Sequence, residues 1–516
     1  MNGRIFMTAT LQQDNSRSYY VKKNVYYSII YQILNLVLKF ILRTIFIRTL
    51  GKSYLGISGV FSNVLTVLSL SELGVGAAII YDMYEPIASK NYKQVNDLMG
   101  LYKKLYAFIG LFILVIGSAL TPFLKYIIND VPDVKYIKFI YFLNVLNTAS
   151  TYFFAHYRSL ITAYQKNYIN TLNNIIFNVI KVILEAIVLI KFNNYIMYII
   201  VEIIVQFLSN FQILYLCRKM FPYINGKSEK IEKNSLKRIM SNSLSSFSIK
   251  LGGTIVNATD NIIISAIIGT AAVGVYYNYS MIISVITATT MLISSSAQAS
   301  VGNLCASKNN KDKLSVFYKL QFIYCLIYGL CFIGMVLVLN SFMMLWLGND
   351  YVLPVETVCL IGVSCYLTGI RQPLELYVNA DGMFKYYKYK PWIEAIINLA
   401  VSIVLGKTIG LNGIFIGTIV SNVLTSFWYE PFIVFRKSLQ SNIVSYYVNL
   451  IKYIILTLAT IMICNIIFNN IIINGLLQNL IMKFCVCCIV YSLLVIVFFR
   501  KTDNFKYYIK IIKRKV

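Results

Sequence analysis

Long apolar blocks, each near the 20 or so residues that a bilayer core demands, alternate along this chain with short polar stretches. The blocks run from about Val25 to Ile47, Leu55 to Ile80, Leu105 to Thr121, Ile137 to Phe154, Ile169 to Ile190, Tyr195 to Cys217 and Leu244 to Ile268. They continue from Val273 to Ser294, Val316 to Leu339, Val352 to Ile370, Trp392 to Leu405, Ile414 to Phe435, Tyr446 to Phe468 and Ile472 to Phe499. This spacing predicts an all-α polytopic membrane protein of about fourteen transmembrane helices. The first block follows a polar stretch of some twenty residues and is too long for the h-region of a cleavable signal peptide.

Composition agrees with the pattern. Of 516 residues, 58% are hydrophobic and 13% charged, with mean hydropathy +0.67. Soluble domains carry about 25% charged residues, so a soluble multidomain enzyme and a disordered chain are both excluded. The net charge of +27 would suggest nucleic acid in a soluble protein; here it describes topology. With the N-terminus inside, alternate loops and the two ends hold about 34 of the 47 basic residues, against about seven on the other side. Both termini are therefore expected in the cytoplasm, with no nucleic-acid partner. Most of the ten cysteines lie in apolar runs, which reads as packing. The Cys485–Cys488 pair sits inside the last block and is read the same way.

The two halves resemble each other at a constant offset. Gly51-Lys-Ser-Tyr-Leu-Gly56 matches Gly269-Thr-Ala-Ala-Val-Gly274, and Ala88-Ser89-Lys90-Asn91 recurs as Ala306-Ser307-Lys308-Asn309, both about 218 positions on. Ala163-Tyr164-Gln165 pairs with Ala380-Asp381-Gly382 in nearly the same register. An even number of helices separates the copies, so the halves share one orientation, with a cavity between two lobes. The expected organisation is an N-terminal arm (1–24), a first lobe of helices one to six (25–218), a basic linker (219–243), a second lobe of helices seven to twelve (244–436), two added helices (437–500) and a basic tail (501–516). Two lobes around a cavity read as a transporter. No outer loop exceeds about 20 residues, short of a catalytic domain, so no enzymatic activity is expected. No selectivity filter or Walker A motif is present.

Particular segments carry a family resemblance. Arg43-Thr-Ile-Phe-Ile-Arg48-Thr-Leu-Gly51-Lys-Ser-Tyr54-Leu-Gly56 runs into Leu68-Ser-Leu-Ser-Glu72-Leu-Gly74-Val-Gly76 and then Tyr84-Glu-Pro86-Ile-Ala88-Ser-Lys90. With Arg158-Ser-Leu-Ile-Thr-Ala163-Tyr-Gln165-Lys166-Asn-Tyr168, Lys250-Leu-Gly252, Thr259-Asp260-Asn261 and Gly274 to Tyr279, this resembles the Wzx-type polysaccharide-unit flippases of the multidrug/oligosaccharidyl-lipid/polysaccharide (MOP) exporter superfamily. The resemblance implies two six-helix lobes in a MATE-like arrangement plus two extra C-terminal helices. It implies translocation of an undecaprenyl-pyrophosphate-linked oligosaccharide across the bacterial cytoplasmic membrane for capsule or other surface polysaccharide, beside a polymerase and glycosyltransferases. Lipid II flippases and drug/cation antiporters share that fold, and a non-transporting scaffold of a glycan-assembly complex is a different class of reading.

Ionisable residues at membrane depth cost a few kcal/mol or more and mark functional sites by default. Lys39 and Arg43 lie one turn apart near the middle of the first helix, so both point one way. With Lys250 of the seventh helix they form an expected cationic cavity for a pyrophosphate, whose oxygens Arg can bind bidentately. The bland reading is snorkelling of these side chains to lipid headgroups. Glu72 is read as a partner for Arg43 or a gate. Asp260 is read as a salt-bridge partner across the cavity or a ligand of a coupling cation, Na+ or H+. Lipid II flippases hold sodium between helices seven, eleven and twelve, and Asp260, Glu394, Asn398 and Thr418 offer similar oxygens, although Glu394 lies close to the cytoplasmic end. No other cofactor and no resident metal is expected. Lys181 and Glu185 form an i, i+4 pair that could neutralise itself. Glu202 has no evident partner, His156 reads as a packed or interfacial ring, and Arg371 and Asp381 flank the loop between helices ten and eleven.

Overall fold

The computed structural model describes residues 2–69, 75–124, 128, 136–225, 259–306, 310–387, 389–471 and 475–515. All regular structure among them is helical. In chain order the helices are α1 (Asn2–Leu68), α2 (Val75–Ala88), α3 (Tyr92–Ala119), α4 (Ile137–Ala163), α5 (Asn167–Phe192) and α6 (Tyr195–Met220). After a helical stretch over residues 259–267 come α7 (Thr270–Ala306), α8 (Asn310–Leu337), α9 (Leu339–Leu347), α10 (Val355–Ala380), α11 (Lys390–Ile409), α12 (Leu411–Ile433), α13 (Val444–Asn470), α14 (Leu476–Phe499) and α15 (Asp503–Lys515). The chain divides into two compact units, residues 1–274 and 275–516.

Nine segments among the described residues are long and apolar enough to cross a membrane. One of them, Tyr26–Leu68, runs for 43 residues and holds the first expected span and the start of the second on either side of Gly51, whose φ of 80° breaks the helix. Glycine tolerates that left-handed conformation because it lacks a Cβ. The helices α4, α5 and α10 have 27, 26 and 26 residues, long enough to span, but carry more polar side chains. The seventh expected span lies largely outside the described residues. With these helices included, the count comes close to the expected fourteen, and the chain is a multi-pass membrane protein.

Local signals start and end the elements. The Asn91 side chain accepts the Gln94 amide at 3.1 Å, and Asn194 accepts those of Ile196 and Met197 at 2.9 and 3.1 Å, each capping orphan donors of the helix that follows. Between α11 and α12, Gly410 takes a φ of 64°. Just beyond it, a Cβ on Gly413 or Gly417 would collide with Leu405 or Ser402, so glycine is what lets α11 and α12 approach closely, as small residues do in membrane helix pairs. The added helices α13 and α14 turn large apolar side chains outward, Met462 at 67% and Val497 at 68% exposure. In water such a surface would be a liability; in lipid it is the solvent-facing side.

One boundary differs from expectation in an informative way. The tenth span was expected to stop at Ile370, before the charge of Arg371. The helix α10 instead continues to Ala380, because buried carboxylates compensate that charge.

Candidate functional site

In the first unit, three helices bring ionisable groups together. Contacts between α1 and α5 rise together along both chains. Asn24 Nδ2 donates to the Gln165 carbonyl at 2.9 Å and Asn24 Oδ1 accepts the Tyr168 amide at 2.8 Å. The rings of Tyr27 and Tyr168 stack at 6.2 Å, and Asn178 Nδ2 donates to Asn35 Oδ1 at 3.2 Å. The helices are therefore parallel, with Asn35 level with Asn178. One turn further on, Lys39 is exposed and feels the charges of Lys181 and Arg43. Arg43 follows, half-buried and within electrostatic reach of Tyr198 on α6.

The carboxylates pair only in part as the spacing suggested, with Glu185 within electrostatic reach of Lys181 but the direct contact made elsewhere. Lys181 Nζ lies 3.5 Å from Glu202 Oε1, across to α6, so Glu202 has a partner after all. Glu185, one turn beyond Lys181, is fully buried, and neither carboxyl oxygen has a hydrogen-bond partner among the described residues. Arg158, expected in the loop after the fourth helix, sits inside α4. Its Nη1 donates to Asn174 Oδ1 at 3.0 Å, and its Nη2 to Asn173 Oδ1, Ser209 Oγ and Asn210 Oδ1 at 2.9, 3.1 and 3.3 Å. These acceptors are all neutral. His156 is a buried ring of α4 packed 4.0 Å from the Tyr157 ring centroid. Beyond the ends of α4 and α6, Tyr223 Oη donates to Tyr164 Oη at 2.8 Å, and burial pushes both phenols up, which leaves the pair uncharged.

In the second unit, α10, α11 and α12 enclose a saturated ionic network. Arg371 grips Glu430 bidentately, Nε to Oε2 at 3.0 Å and Nη2 to Oε1 at 2.6 Å. Its Nη1 donates to Asn422 Oδ1 at 3.1 Å and lies 3.5 Å from Glu394 Oε1, and its Nη2 donates to Glu375 Oε1 at 3.3 Å. Lys390 Nζ closes the ring, 2.7 Å from Glu394 Oε2 and 2.8 Å from Glu430 Oε1. Beside the network, Asn398 Nδ2 donates to Thr418 Oγ1 at 3.0 Å, and the buried Asn398 Oδ1 has no hydrogen-bond partner among the described residues.

The structure thus places Lys39 and Arg43 on one stretch of α1, brings Asn398 and Thr418 together, and ties Glu394 to two cations. Asp260 is buried on the helical stretch over residues 259–267. Glu72 and Lys250 lie outside the described residues. No group of three His, Cys, Asp or Glu among the described residues is placed to hold a metal ion. Sequence reasoning missed Glu430 and Lys390. Glu430 carried a usable signal, a lone carboxylate within the apolar block Ile414 to Phe435; Lys390 was counted only as a loop charge.

A family model described as polysaccharide biosynthesis protein matches residues 21–302. Among solved structures, the chain is similar to the lipid II flippase MurJ in an inward closed conformation, with TM-score 0.66 and 14% identity over 92% of this chain and 98% of that one. It is also similar to an inward-facing multidrug resistance MATE family transporter of the MOP superfamily, with TM-score 0.58 and 13% identity over 77% and 93%. The Vibrio cholerae MATE transporter VcmN in its bent form gives TM-score 0.55 and 14% identity over 83% and 98%. No curated protein matches significantly. At these identities the structural likeness establishes the shared MOP-type fold.

Proposed function

The chain belongs to the polysaccharide biosynthesis protein family, and from that premise we propose that it is a flippase for an undecaprenyl-pyrophosphate-linked oligosaccharide, serving capsule or another surface polysaccharide. The observation that carries this reading is the charge imbalance on α1 and α5. Among the described residues, Lys39, Arg43 and Lys181 stand near two carboxylates, Glu185 and Glu202, and Lys181 already engages Glu202. A diphosphate headgroup crossing hydrocarbon needs opposite charge at that depth, and a guanidinium meets phosphate oxygens through two parallel hydrogen bonds. In this reading Lys250 is a further candidate cation, and Glu72 either pairs with Arg43 or gates. A drug/cation antiporter would present acidic groups to its substrate, whereas the exposed ionisable groups described on α1, Lys39, Arg48 and Lys52, are basic.

Transport proceeds by alternating access. The headgroup enters from the cytoplasmic leaflet with its lipid tail left in the bilayer, and rocking of the two halves exposes the glycan outside. Both termini are cytoplasmic, on the balance of basic loops, and a polymerase and glycosyltransferases are the partners in the pathway. A coupling cation, Na+ or H+, belongs to the same reading, with Asn398 and Thr418 as candidate ligands in the second unit and Asp260 as a candidate in the first. Glu394 could ligate a cation only by giving up Lys390 and Arg371.

The test is complementation with Arg43→Ala and Lys39→Ala at matched membrane abundance, reading surface polysaccharide together with the leaflet distribution of the lipid-linked precursor. Lost polymer with precursor stranded on the cytoplasmic side is the expected result. Normal export from both variants would overturn the charge assignment and return the scaffold reading to first place.

A further inference from the structure

The last helix is built differently from those before it. Within Arg500 to Lys515 the sequence has seven basic residues and one acidic residue, Asp503. The α14 span ends at Phe499 and α15 begins at Asp503, so a short turn holds α15 at the membrane surface. Thr502 starts the helix, its Oγ1 accepting the Phe505 amide at 3.4 Å, and Asp503 suits the positive end of the helix dipole.

The first turns of α15 have two distinct sides. Inward, Asn504 Nδ2 donates to the Tyr318 carbonyl at 3.3 Å and Tyr508 Oη to the Lys319 carbonyl at 3.0 Å. The Tyr508 ring stacks on Phe322 at 5.9 Å, and Phe322 packs against Phe499 at 5.6 Å. Burial pushes the Tyr508 phenol up to about 12, so it stays a neutral donor. Outward, Lys506, Tyr507 and Lys510 are exposed, and Lys319 Nζ lies over the Tyr507 ring at 4.1 Å. The helix is thus moored to α8 and α14 and turns cations away from them.

We propose that α15 is a headgroup-binding helix that takes the anionic phospholipids of the leaflet at which α14 ends. Charge complementarity selects the occupant. The helix is tethered at the bilayer surface, its outward side is basic, and anionic lipid headgroups attract such segments. Through Phe322, Phe499 and Tyr508 the bound lipids steady α8 and the end of α14.

Amide hydrogen exchange of residues 503–515 tests this in the full-length chain, reconstituted in phosphatidylcholine nanodiscs with or without phosphatidylglycerol. Exchange is expected to slow about tenfold with phosphatidylglycerol. The slowing should vanish in the double variant Lys506→Gln, Lys510→Gln and shrink in high salt. Both positions are exposed, and an unchanged melting temperature would confirm that the variant is folded. Equal exchange in the two bilayers, or lipid protection that survives the double variant, overturns the proposal. Protection by a soluble polyanion such as heparin in phosphatidylcholine alone, without an effect of phosphatidylglycerol, overturns it in favour of an acidic soluble partner.

Discussion

Two charged regions of this molecule treat the same problem in opposite ways. In the second unit, Arg371, Lys390, Glu394 and Glu430 are at least nine-tenths buried, and each ionised group faces one or more opposite charges within 3.5 Å. In the first unit, Lys39 is exposed, Arg158 is held by amides and a hydroxyl, and Glu185 has no hydrogen-bond partner among the described residues. In the first arrangement every cation has carboxylate partners, and the network staples three helices. The second leaves Lys39 exposed and the Glu185 carboxyl without a hydrogen bond among the described residues. An ionisable residue at membrane depth is therefore not one kind of signal, and its meaning depends on whether its partners are already in place.

Breaking the closed network should have the largest effect on stability. Glu430→Ala leaves Arg371 and Lys390 buried without their shared carboxylate, which is expected to cost about 3–5 kcal/mol. It should show as a lower melting temperature of the purified protein and reduced membrane abundance. Arg43→Ala should do the converse, leaving the melting temperature nearly unchanged while weakening headgroup binding by about 2 kcal/mol, on the order of thirtyfold. Purified protein titrated with lipid-linked diphosphate reads this directly, and a large loss of stability would place Arg43 with the structural network instead.

Smaller effects sharpen the contrast. Thr418→Val removes the partner of Asn398 Nδ2 and is expected to cost about 1 kcal/mol, measured by thermal unfolding; a change in sodium dependence at matched stability would add support for the coupling site. Smallest is Glu202→Gln. The Lys181–Glu202 pair is part-exposed at 3.5 Å, so its loss should change stability by about 1 kcal/mol or less. A drop as large as that of Glu430→Ala would move this pair into the structural class.

Much of the architecture was legible in the chain, but the site was legible only in part. Helix boundaries near apolar blocks came through, while α10 ran ten residues past Ile370 because Arg371 looked like an end when read without Glu430. The cations of α1 were found because Lys39 and Arg43 stand one turn apart in an apolar block. The pairing of Lys181 was misplaced because two carboxylates compete for it, and the one on its own helix is not the one it reaches.

What the sequence determined by itself is everything that scales with the solvent. Apolar block length sets the span of each helix, while loop charge and the constant offset carry the expectations about side and repetition. These are one-dimensional properties, since a bilayer tests each segment by its own length and polarity. Only the tertiary structure decided which charges are spent and which remain. Arg371 and Arg43 look alike in sequence, each a lone arginine beside apolar residues. Glu430 lies 59 positions from Arg371, and only the packing of α10 against α12 makes them neighbours. Coulomb energy depends on distance and burial, and neither is written along the chain.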